Sequence, residues 1–414
     1  MLSLSVHIYP TDHQRICLET LSNEHRLLYN RLLEAAKAGA DFKELLELHK
    51  QFRKENNLTI QSHVAQMTCH TLIESIKSFY TLKKRDSTAR FPHRFKSWKQ
   101  FQTIRYHWNG GGGGFKFDDE NTVSLTLDRK HRVTFRLPDY VKAKGCGPQS
   151  VKQLTVRRDD VKNCYVFSFV YQEEPKNLSG SFDKDKFLSI DLGISQIATA
   201  FSNSVQNFSI QNSRFKKVER RKEHVQSLRD KKKKGSRRHK KLTKTHQRLC
   251  RKLSDKNKDF QHKVSKKIVD HCTANDIGTM IVGDIKTKKL PKGSRSTVGL
   301  NKSTQNQGTL SRFKTFLSYK AKNAGMDFHL VNESYTSQLN CLTGQRSLSS
   351  DLSVREVEIS EGVKIDRDLN AATNIAKRVM GEWFTHTQNL MDYLSGFEKM
   401  YVDNSSVMRP IVGV

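Results

Sequence analysis

The stretch FLSIDLGISQIATAFSNS, residues 187–204, constrains the fold more tightly than any other part of the chain. It reads as a buried strand, a Gly-containing turn and a second buried strand, and it carries Asp191 inside its apolar run. A carboxylate removed from water is costly unless it is paired or bound to a metal. Two further acids stand in comparable places. Asp284 follows the apolar run TMIVG, and Asp368 opens the helical pattern LNAATNIAKR, two residues after Asp366. Mg2+ prefers carboxylate and water oxygens, and a pair of such ions can activate a water and stabilise the leaving oxygen of a phosphodiester. Each motif alone has a simpler reading: a turn at DLG, a strand end at VGDI, helix capping at Asp366 or Asp368. As an ordered set, separated by 284 − 191 = 93 and 368 − 284 = 84 residues, they allow one α/β core interrupted by large insertions.

Ahead of that core the pattern changes twice. LSLSVHIYP predicts a strand closed by Pro10, with Thr11 or Asp12 as N-cap. Apolar residues at helical spacing (Leu18, Leu21, Leu27, Leu28, Leu32, Leu33) predict a helix from Gln14 to about Lys37, with others from Phe42 to about Lys54 and from Ile60 to about Lys83. QTIRYHW, VSLTLD, RVTFRL, QLTVRR and CYVFSFVYQ then predict a small barrel-like β-module, with the glycines at 110–114 as a flexible connection. Tyr106 and Trp108 read as core or turn residues, with stacking on RNA bases as the alternative. His262 reads as a helix-surface residue, and the loop 291–308 as either an active-site lid or an inert connection.

The charge excludes several classes. The formal net charge is +31, from 73 Lys and Arg against 42 Asp and Glu. Such an excess repels itself in the folded state unless a polyanion shares the surface, and nucleic acid is the obvious polyanion. No apolar run approaches the ~18 residues of a spanning helix, and the first residues lack the signature of a secretory signal. The seven cysteines are scattered, with no CxxC, which predicts a reducing compartment and no structural disulfides. Between Arg229 and Lys252 there are 13 Lys and Arg in 24 residues. Lys231, Lys232, Lys233, Lys234, Arg237, Arg238, Lys240, Lys241, Lys244, Arg248, Arg251 and Lys252 are candidates for a helical hairpin that tracks phosphates, against the simpler reading of a solvated helix face.

SIDLGISQIATAFS, MIVGDIK, SRFKTFLSYKAKNAG, ESYTSQ and DRDLNAATNIAKR occur in the order found in the TnpB (OrfB-like) transposon-encoded nucleases, relatives of the type V CRISPR effectors, and HIYPTDHQ and ARFPHRFKS fit as well. The chain resembles that family over nearly its whole length. The resemblance implies an α/β multidomain protein: an RNase H-like RuvC core with an N-terminal helical recognition region and a β-barrel-like wedge module. It further implies Asp191, Asp284 and Asp368 as catalytic residues holding Mg2+, two ions by family habit, and as partners a guide RNA and a double-stranded DNA target with a short flanking motif. Prokaryotic cytoplasm, at the nucleoid, is the expected location. The domains expected are a first wedge strand (1–12), the helical region (13–95), the β-module (96–182), the core (183–335) with its basic insertion (213–272), a zinc-ribbon-like insert that has lost its ligands (336–364), the third core motif (365–380) and a tail (381–414). This chain departs from the family at the second acidic position, where Asp284 stands for the usual Glu. It departs again in the insert, where Cys341 is alone, so no structural zinc is expected there. Two rival readings are an RNA-guided DNA binder or repressor with a decayed nuclease, and a guide-independent nuclease or DDE-type transposase.

Overall fold

The first strand ends at Ile8, and Thr11 starts the first helix through a capping box: its hydroxyl accepts from the Gln14 amide at 3.3 Å, and Gln14 Oε1 accepts from the Thr11 amide at 2.8 Å. In the computed structural model, the described residues are 2–92, 94–107, 114–128, 131–143, 150–172, 182–213, 215–284, 309–348, 354–387, 389–402 and 408–410. They fall into two compact units, Met1–Glu174 and Pro175–Val414.

The first unit contains β1 (Leu2–Ile8), α1 (Asp12–Lys37), α2 (Phe42–Glu55), α3 (Ser62–Lys83), β2 (Ile104–His107), β3 (Phe115–Asp119), β4 (Thr122–Thr126), β5 (Arg132–Arg136), α4 (Tyr140–Ala143), β6 (Val151–Asp159) and β7 (Cys164–Tyr171). The strands form two antiparallel sheets, ordered β1-β7-β6-β2 and β3-β4-β5. β1 is far from its partner in sequence and pairs with β7 along its whole length, from Leu2↔Tyr171 to Ile8↔Tyr165. Leu18, Leu28 and Leu32 of α1 share one apolar core with Val6, Phe167 and Phe169. Tyr106 is fully buried in that core, so its ring is not a surface platform for a base. Trp108 and most of the glycine run lie outside the described residues.

The second unit is built on one sheet. β8 (Asp183–Asp191), β9 (Gln196–Ser202) and β10 (Asn207–Gln211) run antiparallel, and β11 (Ile277–Gly283) and β12 (Asp327–Val331) add in parallel beside β8. Between β10 and β11 the chain forms α5 (Lys216–Asp230) and α6 (Arg237–Ala274), and α7 (Thr309–Asn323) precedes β12. The hairpin β13 (Glu356–Ser360) and β14 (Val363–Asp366) leads into α8 (Arg367–Lys377), α9 (Gly381–His386) and α10 (Leu390–Leu394). The final segment returns to the sheet: β15 (Phe397–Val402) pairs parallel with β10, and β16 (Met408–Pro410) covers β15, giving the order β12-β11-β8-β9-β10-β15-β16.

Strand alternation assigns the two faces. Leu188, Ile190, Met280 and Val282 pack with Val264 and Ile268 of α6 and with Phe313 and Leu317 of α7. Phe187, Phe201 and Ile281 pack on the other face with Leu369, Ala372, Ile375 and Ala376 of α8. The small residues of α8 let its backbone approach closely: Ser189 Oγ, in the middle of β8, donates to the Ala372 carbonyl at 2.7 Å. Among the described residues no helix is long and apolar enough to cross a membrane.

Candidate active site

Asp191 is the last residue of β8. Residues 187, 189 and 191 alternate onto the α8 face, so its carboxylate points to the same side as the first turn of α8. Gly193 makes the sharp exit possible: a Cβ there would stand 2.8 Å from the Gln196 carbonyl oxygen. Asp366 is the N-cap of α8, its carboxylate accepting from the amides of Asp368 (2.8 Å) and Leu369 (3.4 Å). Asp368 therefore has no capping duty and sits in the first helical turn, with Arg355 Nη1 4.0 Å from its Oδ2.

The same alternation separates Asp284 from Asp191. In β11, Ile281 and Gly283 belong to the α8 face, and the next residue is directed to the α7 side. There Lys314 of α7 donates to Asp284 Oδ1. The place beside Asp191 is taken instead by Glu333, two residues beyond the end of β12. Gly283 pairs with Val331, and a Cβ added at Gly283 would lie 2.5 Å from Glu333 Oε2. The glycine is the space that the glutamate occupies. Motif order in the sequence points to Asp284; Glu333 opens the motif ESYTSQ, which by itself assigns it no role, and the signal that places it is the period-two register of β11 and β12 taken together.

α8 also fixes the segment that carries Glu333. Asn370 and Asn374, one turn apart, donate their side-chain amides to the Leu339 carbonyl at 2.8 and 2.7 Å, and Asn374 also donates to the Thr336 carbonyl at 2.9 Å. The side-chain Oδ1 of Asn370 accepts from the Cys341 backbone amide at 2.9 Å. Arg378 donates to the carbonyls of Asn332 and Ser334 on either side of Glu333. The motif DLNAATNIAKR thus combines small residues that pack on the sheet with polar residues that brace the neighbouring loop. Cys341 is fully buried in the apolar cluster, and burial pushes its thiol up to about 11.

The electrostatics tie three acids together. Burial holds Asp191 well above the usual carboxylate range, and the charges of Glu333 and Asp368 push it further. Burial raises Glu333 to about 7; Lys314 and Arg378 oppose this and Asp284 reinforces it. Asp368 is raised by burial first and by Asp366 second. Glu333 Oε2 is buried with no hydrogen-bond partner, although such atoms are nearly always satisfied. Among the described residues no three His, Cys, Asp or Glu side chains are already drawn into a ligand cage. The donor chemistry is nonetheless that of a hard cation: carboxylates alone, mutually repelling, with one oxygen unsatisfied.

The basic tract forms the α5–α6 hairpin. Lys231, Lys232, Lys233, Lys234, Arg237, Arg238, Lys240, Lys241, Lys244, Arg248 and Lys252 are exposed, and Arg251 is half-buried beside Asp255 at 3.4 Å. His262 stacks on Phe316 of α7 with ring centroids 3.8 Å apart, and burial lowers it to about 4. Of the loop 291–308, all lies outside the described residues.

Comparison with known proteins gives a consistent picture. Residues 168–289 match the family OrfB_IS605, described as "Probable transposase", and residues 311–375 match "Cas12f1-like, TNB domain". A Streptomyces pristinaespiralis protein named "Putative RNA-guided DNA endonuclease" is 23% identical over 381 residues, covering 89% of this chain and 86% of that protein. "TnpB-like protein L79" of Acanthamoeba polyphaga mimivirus is 28% identical over 244 residues, covering 56% of this chain and 44% of its own. The fold is similar to the protein in a cryo-EM structure of a Cas12f1–sgRNA–target DNA complex, with a TM-score of 0.55, 15% identity, and coverage of 88% and 81% of the two chains. With both signatures wholly or mostly in the unit that holds the acidic cluster, the chain is similar to the TnpB (OrfB-like) proteins, relatives of the type V CRISPR effectors.

Proposed function

We propose that the protein is a transposon-associated, RNA-guided DNA endonuclease whose cleavage site is the cluster of Asp191, Glu333 and Asp368. The observation that carries this reading is the convergence of those acids from three separate parts of the chain at the carboxyl ends of parallel strands, where open α/β sheets place their ligands. The strand order β10-β9-β8-β11-β12, three antiparallel and then two parallel, supports an RNase H-like RuvC core. Asp191, Glu333 and Asp368 would hold Mg2+, which when bound supplies an activated water and charge stabilisation for phosphodiester hydrolysis. The chain's own residues do the rest. β8 and α8 fix two carboxylates on rigid elements, while Asn370, Asn374 and Arg378 hold the loop that presents the third. Lys314 keeps Asp284 occupied and draws Glu333 toward its ionised, ligating form. The α5–α6 hairpin grips the backbone of a guide–target heteroduplex, leaving sequence to base pairing.

RNA sequencing of material bound to the purified protein, followed by Mg2+-dependent cleavage of a duplex matched to that RNA, tests the reading. One defined RNA and guide-matched cleavage are expected. Guide-dependent binding without cleavage under any divalent metal would favour a repressor, and the absence of a defined RNA would favour a guide-independent nuclease.

A further inference from the structure

Asp368 owes its place to the turn that starts α8, and that turn is set by the hairpin before it. β14 ends at Asp366, the N-cap, which pairs with Glu356 of β13. The Arg367 amide donates to the Arg355 carbonyl at 2.8 Å. The hairpin is tied in turn by one side chain of the loop that follows Glu333. Asn340 is 6% exposed. Its Oδ1 accepts from the backbone amides of Leu342 at 2.8 Å and Thr343 at 3.4 Å, and its Nδ2 donates to the Ile359 carbonyl of β13 at 2.9 Å. Two N–H donors on one side and a carbonyl on the other fix which end of the amide meets which partner. The main chain closes the turn: the Asn340 amide donates to the Gln345 carbonyl at 2.8 Å, and the Gly344 amide donates to the Asn340 carbonyl at 2.9 Å. The next residue reaches the far side of the same hinge. The Cys341 amide donates to Asn370 Oδ1, and the Cys341 carbonyl accepts from Lys377, both on α8. Two consecutive residues thus hold the strand before the α8 start and the helix after it.

The resemblance directs attention to zinc in the segment 336–364, and the residues there do not fit it. The segment has one cysteine and no histidine, whereas structural zinc draws its ligands from those two residue types. Cys341 lies fully buried among apolar side chains. We propose that Asn340 is a positioning residue for the cleavage site, joining the 340–345 turn to β13 as a structural ion would and so fixing the turn that presents Asp368. The proposal rests on the reading of Asp368 as a metal ligand. A neutral amide suits the place because it accepts along one edge and donates along the other. Aspartate would keep the two bonds of the turn, lose the donor to Ile359 and set a second oxygen against that carbonyl.

The test uses the full chain with its bound RNA and two readouts. Guide-matched cleavage is followed against Mg2+ concentration, and amide hydrogen exchange over residues 340–370 is followed in the metal-free protein. In Asn340→Asp and Asn340→Ala the half-saturating Mg2+ concentration should rise about tenfold, the low end of what partners behind metal ligands contribute, with guide-dependent DNA binding kept within about twofold. Exchange at the Arg367 and Asp368 amides should quicken about fivefold or more, the scale of one buried hydrogen bond. Arg346→Ala is the control from the same loop. Arg346 is exposed, lies 4.1 Å from the Tyr335 ring centre and donates to Gln338 at 2.7 Å; its loss should leave both readouts at the wild-type level. The wild-type thermal midpoint should not move with TPEN, a zinc-selective chelator. Circular dichroism checks each variant, and Asn340→Asp, which keeps the turn, carries the test if Asn340→Ala unfolds. Should both unfold, wild-type exchange decides: the Leu342 and Thr343 amides should open as one unit with Arg367 and Asp368, and unrelated rates would count against the tie. A folded Asn340→Asp with wild-type exchange and Mg2+ response overturns the inference. So does an Arg346→Ala variant that matches it, or a midpoint lowered by TPEN. A wild type that never cleaves counts against the nuclease reading, and exchange in the metal-free protein then decides the role of Asn340 in holding the hinge.

Discussion

At the carboxyl end of the central sheet, three acids are half-buried, each is presented by a different element, and the charges of Glu333 and Asp368 both raise Asp191. Across the same unit, the α5–α6 hairpin carries a dozen cations that are almost all exposed and interchangeable in kind. The first arrangement depends on the position of single oxygen atoms; the second depends on summed charge. Chemistry at a site should fail when one atom moves, whereas grip on a backbone should fade in proportion to the charge removed.

The largest effect expected from this contrast is at the acids. Asp191→Asn, Glu333→Gln and Asp368→Asn should each lower guide-dependent cleavage by ~10³-fold or more while leaving binding within about twofold, since a lost metal ligand affects chemistry far more than backbone contact. Asp284→Asn separates the two candidate sets: a loss as large as that of Glu333→Gln would return Asp284 to the ligand set, whereas a loss of about tenfold or less fits its place against Lys314. Gly283→Ala should come next. Its added Cβ meets Glu333 Oε2 at 2.5 Å and Ile375 Cδ1 at 3.0 Å, so cleavage should fall by ~10–100-fold while thermal unfolding shifts little, because the carboxylate can swing aside. Wild-type cleavage in Gly283→Ala would break the link between that space and the site.

The hairpin should respond more gently. Replacing Arg237, Arg238, Lys240 and Lys241 together with Ala should reduce the slope of log affinity against log salt by about 3, and any one of them by less than 1. A slope that does not change would remove the hairpin from the binding surface. The pH response of stability should be smaller. The folded state holds His262 near 4, below its ordinary 6.5, so the unfolded chain binds the extra proton between those values. Stability is complete above pH 6.5 and is lost as pH falls toward 4, by at most ~1.4 kcal/mol per pH unit. His262→Phe, which keeps the stack on Phe316, should flatten that part of the urea-midpoint profile. The smallest change is expected at Asp366→Ala: loss of an N-cap costs ~1 kcal/mol, and cleavage should remain measurable, in contrast to Asp368.

Legibility in the sequence followed the range of the forces involved. The three N-terminal helices and the strands of the sheet could be read because local periodicity reports burial, and Asp366 and Asp368 because capping is local. β3, FKFDD, was not anticipated: it has two aromatic residues and then two acids, and its strand state depends on pairing with β4. Glu333 was visible only as the first letter of ESYTSQ; its place beside Asp191 was not legible, because that environment is made by β11, α7 and α8. The C-terminal segment failed for the same reason. FEKMYV alternates only weakly, and it becomes a strand because β10 offers it an open edge.

That last pairing has a consequence for how the chain matures. Residues 207–210 find their partners at 397–400, and Trp383 and Phe384 pack on Phe187 at ring distances of 5.2 and 6.2 Å. Contacts across such separations are slow to form, since a long loop must close before they are made. During synthesis the nascent core would therefore wait, with one side of β10 uncovered, until residues near 400 have left the ribosome. A partly made chain would offer a sticky strand to its neighbours, and a chaperone or the protein's own nucleic acid, arriving early, would have something to shield.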